Sequence, residues 1–209
     1  MSSNIRKKII FVCIIIFIIT ILTIIIYASC KLHNYFLNEQ LLEACLNGDI
    51  SQVEELIERG ADTNYVGDHN KTPLFIAIVN SDLELIELLV QHGADIDFKF
   101  ANIHNALRLS VTFECEPEIT EYFIKKGINV ESATPNGYTA LMIAAGSGFV
   151  SKAEILINNG ADINARTDGG LSPILRAVES EIKSKRYEMI KFLLDKGATY
   201  TVNEGLLIF

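Results

Sequence analysis

LIERGADTN at residues 56–64 returns along the chain as LVQHGADID (89–97), FIKKGINVE (123–131), LINNGADIN (156–164) and LLDKGATYT (193–201). Each copy carries apolar residues, then polar ones, then a glycine, which is how a helix ends on a left-handed residue. The five glycines are Gly60, Gly93, Gly127, Gly160 and Gly197, spaced by 33, 34, 33 and 37 residues. A period near 33 marks one supersecondary unit stacked on copies of itself.

A second series keeps the same register. Thr72-Pro73-Leu74-Phe75, Asn105-Ala106-Leu107-Arg108, Thr139-Ala140-Leu141-Met142 and Ser172-Pro173-Ile174-Leu175 start 33, 34 and 33 residues apart. Five residues into each stands a small side chain, Ala77, Ser110, Ala144 or Ala177, and Ala44 fills that slot in the first unit. Thr72, Thr139 and Ser172 suit helix N-caps, with Pro73 and Pro173 at the first helical position where no donor is missed. SDLE (81–84) and SKAE (151–154) have capping-box spacing, which predicts Ser81 and Ser151 as caps of second helices. Pro117 opens another second helix, and Asn136-Gly137 suits a tight hairpin tip. Arg59, His92, Lys126 and Lys196 precede the repeating glycine, where positive charge favours a helix C-terminus.

These two series resemble the ankyrin T-P-L-H-x-A and G-A-D-I-N motifs over about residues 38–202. The resemblance implies an all-α ankyrin-repeat solenoid of about five helix-turn-helix units with short hairpin loops. The units fall at about 38–66, 67–100, 101–133, 134–166 and 167–200, followed by an apolar C-terminal tail at 203–209 expected to cap the last of them. The first unit has Glu39-Gln40-Leu41-Leu42 in place of T-P-L-H and reads as an N-terminal cap. The third is degenerate at Asn105, Arg108 and Ser110, and Glu114-Cys115-Glu116-Pro117 adds a residue. The fifth has four extra residues around Glu181–Arg186, read as a longer inter-helix turn.

Before the repeats come a basic flank (1–8), an uncharged Ile-rich run (9–27) and a short tether (28–37). Nineteen residues of helix span about 28 Å, close to a bilayer's hydrocarbon core. Arg6-Lys7-Lys8 before the run predict a cytoplasmic N-terminus, with the repeats on the extracytoplasmic side in periplasm, lumen or exterior. Tyr27-Ala28-Ser29-Cys30 resembles a bacterial lipobox at three of four places, Tyr27 being the departure, so Cys30 is a candidate lipidation site. Retained anchor, lipidated cysteine and plain signal cleavage after small residues are three readings of this segment.

Net charge is −8, and the first thirty residues carry only Arg6, Lys7 and Lys8, so residues 31–209 carry −8 − 3 = −11. Such an acidic domain is unsuited to a phosphate backbone, so no nucleic-acid partner is expected, while a basic protein partner suits it. The cysteines (Cys13, Cys30, Cys45, Cys115) form no C-x-x-C pair. No H-E-x-x-H, G-x-S-x-G or P-loop occurs, and the Asp95-Ile96-Asp97 and Asp162-Ile163-Asn164 triplets lack the later residues of a calcium loop. No catalytic residue, cofactor, metal or small-molecule substrate is therefore expected.

The ankyrin resemblance implies protein binding through hairpin tips and first helices. Carried over slot by slot, it marks Asp68, His69, Lys71, Val79 and Asn80 in the second unit, and Asn102, His104 and Phe113 in the third. Asn136, Tyr138 and Ser147 follow in the fourth, and Asp168, Leu171 and Glu179 in the fifth. Phe113 and Tyr138 stand out because rigid aromatics dominate interface energetics. The functional expectation is a membrane-tethered, non-catalytic module for protein–protein binding. Its alternatives are an envelope lipoprotein that neutralises or protects a partner enzyme or toxin and, remotely, an enzyme on an ankyrin scaffold.

Overall fold

A computed structural model describes residues 3–98 and 105–200. Asn102, His104 and the tail at 203–209 lie outside the described residues. Every regular element among those described is helical: α1 Ser3–Asn47, α2 Ile50–Glu58, α3 Pro73–Val79, α4 Leu83–Gln91, α5 Ala106–Thr112, α6 Pro117–Lys125, α7 Ala140–Ser147, α8 Val150–Asn158, α9 Pro173–Val178 and α10 Lys183–Asp195. They pair in sequence, α1 with α2 through α9 with α10. The first helices α1, α3, α5, α7 and α9 pack side by side in one layer, and α2, α4, α6, α8 and α10 form the second.

Local signals set the first helices. Thr72, Thr139 and Ser172 accept from the backbone N–H three residues on, as N-caps do. Asn105, in the degenerate unit, makes the same bond to Arg108 N. Pro73, Pro173 and Pro117 open their helices. The repeating glycines adopt φ of 89–98°, where a Cβ would be strained. At each close-contact slot Ala44, Ala77, Ala144 and Ala177 are fully buried, which lets neighbouring helices approach. Around them Leu41, Ile78, Leu85, Ile86, Leu107, Ile119, Phe123, Leu141 and Leu156 make one continuous core.

The second helices begin differently from the capping-box reading. Asp82, not Ser81, caps α4 by accepting from Leu85 N at 3.0 Å. Ser81 instead turns left-handed at φ 55° and accepts from Glu116 N in the next unit. Ser151 lies inside α8, whose cap position is Phe149 with no side-chain bond. The expected longer turn in the fifth unit is also corrected. Lys183–Arg186 are the first residues of α10, so the four extra residues lengthen that helix by about one turn. Residues 28–37, read as a tether, are helical, because α1 runs unbroken from Ser3 into the core at Leu37, Leu41, Leu42, Ala44 and Cys45.

Two hydrogen-bond ladders join the units. The last carbonyls of a helix lack partners within it. Here the following unit supplies donors: Asn80 Nδ2 to Cys45 O (3.4 Å), Cys115 Sγ to Ile78 O (3.0 Å), Lys152 Nζ to Ser110 O (2.7 Å) and Phe113 O (2.8 Å), and Ser180 Oγ to Gly146 O (2.6 Å). The C-terminal ends of α1, α3, α5, α7 and α9 are thereby aligned, so the first helices run parallel. The second ladder joins the loops after the glycines. Asn64 accepts from Asp95 N (2.7 Å), Glu131 from Asp162 N (2.9 Å) and Asn164 from Thr199 N (2.8 Å). Asn38 on α1 accepts from Asp62 N (2.8 Å), standing in for the preceding unit that the first one lacks.

Lys152 is the costly member of the first ladder. Counted from the repeating glycine, its slot holds Leu85, Ile119 and Met189 in other units, each fully buried. Lys152 is itself 3% exposed, and burial lowers its pKa, with Cys115, Glu114 and Glu116 opposing that shift. Cys45 and Cys115 are both free and buried. Burial, then Asp82, pushes the Cys45 thiol from its ordinary 9.0 up to about 12.

Lys152→Met keeps the aliphatic stem and removes the donor. It should cost about 1–3 kcal/mol in denaturant unfolding, because Ser110 and Phe113 carbonyls lose a charged partner. Cys45 gives a pH signature. The folded chain keeps a proton that the unfolded chain releases above pH 9.0, so stability falls as pH rises from there towards about 12. The difference between the native chain and Cys45→Ala should shrink by about 1.4 kcal/mol per pH unit above that threshold.

Candidate functional site

On the exposed side of the first-helix layer, α1, α3 and α5 leave an apolar groove. Leu46, Lys71, Phe75, Ile76, Val79, Asn80 and Phe113 line a hollow of about 160 Å³, the size of one large side chain. Leu46 is 55% and Val79 41% exposed, so the groove presents apolar surface to solvent. The Phe75 and Phe113 rings meet edge-on with centroids 6.0 Å apart, which fixes the floor. Leu46, Lys71 and Ile76 also line a neighbouring hollow of about 380 Å³ with Phe36, Glu39, Gln40, Leu42, Glu43, Asp68 and His69. The two are thus one groove with an acidic flank.

The hairpin tip beside it is a two-residue turn. His69 and Asn70 have φ of 58° and 59°, and Gly67 N bonds Lys71 O at 2.9 Å. Two successive left-handed residues define a type I′ turn, whose twist matches a tight hairpin. Asp68, His69, Asn70 and Lys71 are all exposed at this tip.

The structure sorts the sequence-marked residues into two groups. Asp68, His69, Lys71, Asn80 and Phe113 gather at the groove. Asn136, Tyr138, Ser147, Asp168, Leu171 and Glu179 belong to the fourth and fifth units, where several join the units together. Tyr138 Oη accepts from Arg176 Nε at 2.5 Å, and Arg176 Nη1 lies 3.9 Å from Glu179. Asn136 O accepts from Asp168 N at 3.2 Å. Tyr138 is half-buried, so a binding role with no stability role, the simple expectation for an exposed hairpin aromatic, does not fit its contacts. Asn80 likewise spends its side chain on Cys45 O.

Leu46 and Phe75 were absent from the sequence-marked set. Leu46 occupies the same slot as Val79, seven residues into the unit, and reading the first unit purely as a cap hid it. Phe75 lies one turn before Val79 on α3, inside the T-P-L-F signature.

For chemistry, Cys115 is buried, its pKa is raised chiefly by desolvation, and its thiol donates to Ile78 O, the setting of an inert thiol. Among the described residues no group of three or more His, Cys, Asp or Glu is placed to hold a metal. A hollow of about 340 Å³ at the starts of α6 and α8 has Lys152 and Lys185 over the Phe149 ring at 4.7 and 5.0 Å, but Glu114 and Glu188 line it too.

Paired helices at a 33-residue period, hairpin tips and glycine-ended second helices define a helical-repeat binding scaffold. The family model for ankyrin repeats (3 copies) matches residues 20–100, 41–134 and 107–204. The chain belongs to the ankyrin repeat family. It is 41% identical over 64 residues to an ankyrin repeat protein of Rickettsia bellii, covering 31% of this chain and 26% of that one. It is 38% identical over 74 residues to Delta-latroinsectotoxin-Lt1a of Latrodectus tredecimguttatus (34% of this chain, 6% of the toxin). It is 29% identical over 161 residues to Palmitoyltransferase AKR1 of Lachancea kluyveri (75% of this chain, 21% of the transferase). The chain spans about a quarter or less of the length of these curated relatives.

Tyr138→Phe removes only the hydroxyl that accepts from Arg176. Thermal unfolding should show a loss of about 1 kcal/mol, and Tyr138→Ala a larger one.

Proposed function

We propose that this chain is a membrane-tethered ankyrin module that binds another protein and has no catalytic activity of its own. The observation that carries the reading is the groove at Leu46, Phe75, Val79 and Phe113, apolar at its floor and flanked by Glu39, Glu43 and Asp68. Apolar anchors in such hollows supply most of the affinity at protein interfaces. The acidic flank and the −11 charge of residues 31–209 favour a partner that surrounds its anchor with Lys or Arg.

Membrane tethering rests on α1. It contains the one helix among the described residues long and apolar enough to cross a bilayer, and its Ile-rich face is exposed all round. Arg6-Lys7-Lys8 at its start support a cytoplasmic N-terminus, with the repeats on the extracytoplasmic side. Cys30 is exposed on α1, within the run of helix that joins the apolar segment to the first unit.

Val79 is exposed, so Val79→Asp should leave stability within about 0.5 kcal/mol while weakening partner binding about tenfold or more. A photo-crosslinker at Val79 in the native host should give a discrete adduct that Leu46→Asp abolishes. Equal crosslinking from Glu54, on α2, would sink the groove as the site. For the tether, alkaline carbonate should fail to extract the protein, and intact mass should match the full chain. A mass starting at an acylated Cys30 would assign a lipoprotein instead.

A further inference from the structure

One face of α1 carries exposed apolar residues from the groove down towards the uncharged run. Leu32, Phe36, Glu39, Glu43 and Leu46 follow one another at spacings of four, three, four and three residues, which puts them on one side of the helix, with Tyr35 beside them. Leu37, Leu41 and Ala44 occupy the other side and are buried in the core. Leu32 is 56%, Tyr35 50% and Phe36 57% exposed. Phe36, Glu39, Glu43 and Leu46 form one wall of the larger hollow, and Asp68, His69 and Lys71 face them from the hairpin. Tyr35 meets Phe36 edge-on, with ring centroids 5.8 Å apart. The groove is therefore open at its lower end and runs on along α1. Lipid does not reach this strip. Tyr35 and Phe36 stand eight and nine residues past Tyr27, about 12–14 Å along the axis, beyond a headgroup layer of about 5–8 Å on each side.

We propose that this face seats a helix of a different membrane-spanning protein, apolar on one side and carrying Lys or Arg opposite Glu39 and Glu43. The proposal rests on the membrane tether above and names the class of partner for the groove. A four-three spacing on an unbroken helix is the seam against which a second helix packs at a shallow angle. From Leu32 to Leu46 the seam is about 21 Å long. Its upper end lies in the groove, and below it Ile25 and Ile18 continue the seven-residue register of Leu46, Glu39 and Leu32. A helix laid along it thus enters the bilayer beside α1. Within the bilayer an Ile face gains little from pairing, so burial of the water-exposed strip supplies the driving force. The two carboxylates supply the choice of partner, and they disfavour a second copy. Two copies anchored in one bilayer lie parallel, and a two-fold contact on this face sets Glu39 and Glu43 against themselves.

The chain has no Trp, so Phe36→Trp gives the full chain a single reporter on the strip. The probe is a synthetic peptide in the same phosphatidylcholine vesicles. It has a span of about 20 Leu and Ala residues, then a helical stretch with Leu at the four-three spacing and Lys at the two places that meet Glu39 and Glu43. The peptide should shift the emission to the blue. Glu43→Lys, at an exposed position, should leave thermal unfolding unchanged and weaken the response about fivefold, and exchanging Lys for Glu in the peptide should restore it. No shift with either peptide would overturn the proposal. So would an equal response to the soluble part of the peptide alone, which removes the need for a neighbour in the membrane. An indole already buried without peptide would also overturn it, assigning the face to a second copy if dilution in lipid exposes it and to lipid if dilution does not. A chain that alkaline carbonate strips from the vesicles would refute the tether, and this proposal with it.

Discussion

The stack depends on how the carbonyl ends of its first helices are satisfied. Three short helices, α3, α5 and α7, and the end of α1 would each leave acceptors open, and none has room for a long cap of its own. The next unit closes each of them with whatever donor its sequence offers: an amide at Asn80, a thiol at Cys115, an ammonium at Lys152, a hydroxyl at Ser180. The constraint is geometric and not chemical, so four residue types fill one role. It also makes each unit's stability depend on its successor, which is the nearest-neighbour coupling of a one-dimensional array. The third unit shows what the rule tolerates. Its Ser110 and Thr120 hydroxyls lie 3.0 Å apart in the core, beside Lys152, where other units are apolar. A hydrogen-bonded polar cluster fills these slots where the sequence signature has decayed.

Much of the fold was legible because it is periodic. Gly60 through Gly197 and the Thr72, Asn105, Thr139 and Ser172 series report the same register twice, and each has a local physical cause in a cap or a left-handed turn. The failures were also local. Ser81 and Ser151 have capping-box spacing, yet the turn before α4 places Asp82 at the helix start and the turn before α8 places Phe149 there. The turn between two helices can move a cap by one or two positions without changing the pattern around it. The extra residues at 183–186 continue a helix for a similar reason: Lys and Arg are good helix formers, and nothing there breaks the backbone.

The site was less legible than the fold. Slots transfer from unit to unit, but contacts do not. Phe113 reached the groove because its unit places it at the end of α5, whereas Tyr138 is spent on Arg176. Lys152 could have been found, since a lysine in the slot of Leu85, Ile119 and Met189 is a charge at a buried position. Leu46 could have been found too, by applying the contact slots to the first unit. What no spacing supplied is which exposed apolar residues from different units meet in space, because that depends on three helices packing side by side.

The unbroken helix α1 has a mechanical meaning. Forty-five residues of α-helix make a rod of about 68 Å with no joint along it. From Tyr27, where the uncharged run ends, to Leu46 in the groove is nineteen residues, or about 28 Å along the axis. A chain held by that run carries its groove at a fixed height, and every tilt or rotation of the rod in the bilayer is imposed on the whole stack. On the membrane tether proposed above, the groove would stand on a mast rather than on a leash, trading reach for a set bearing.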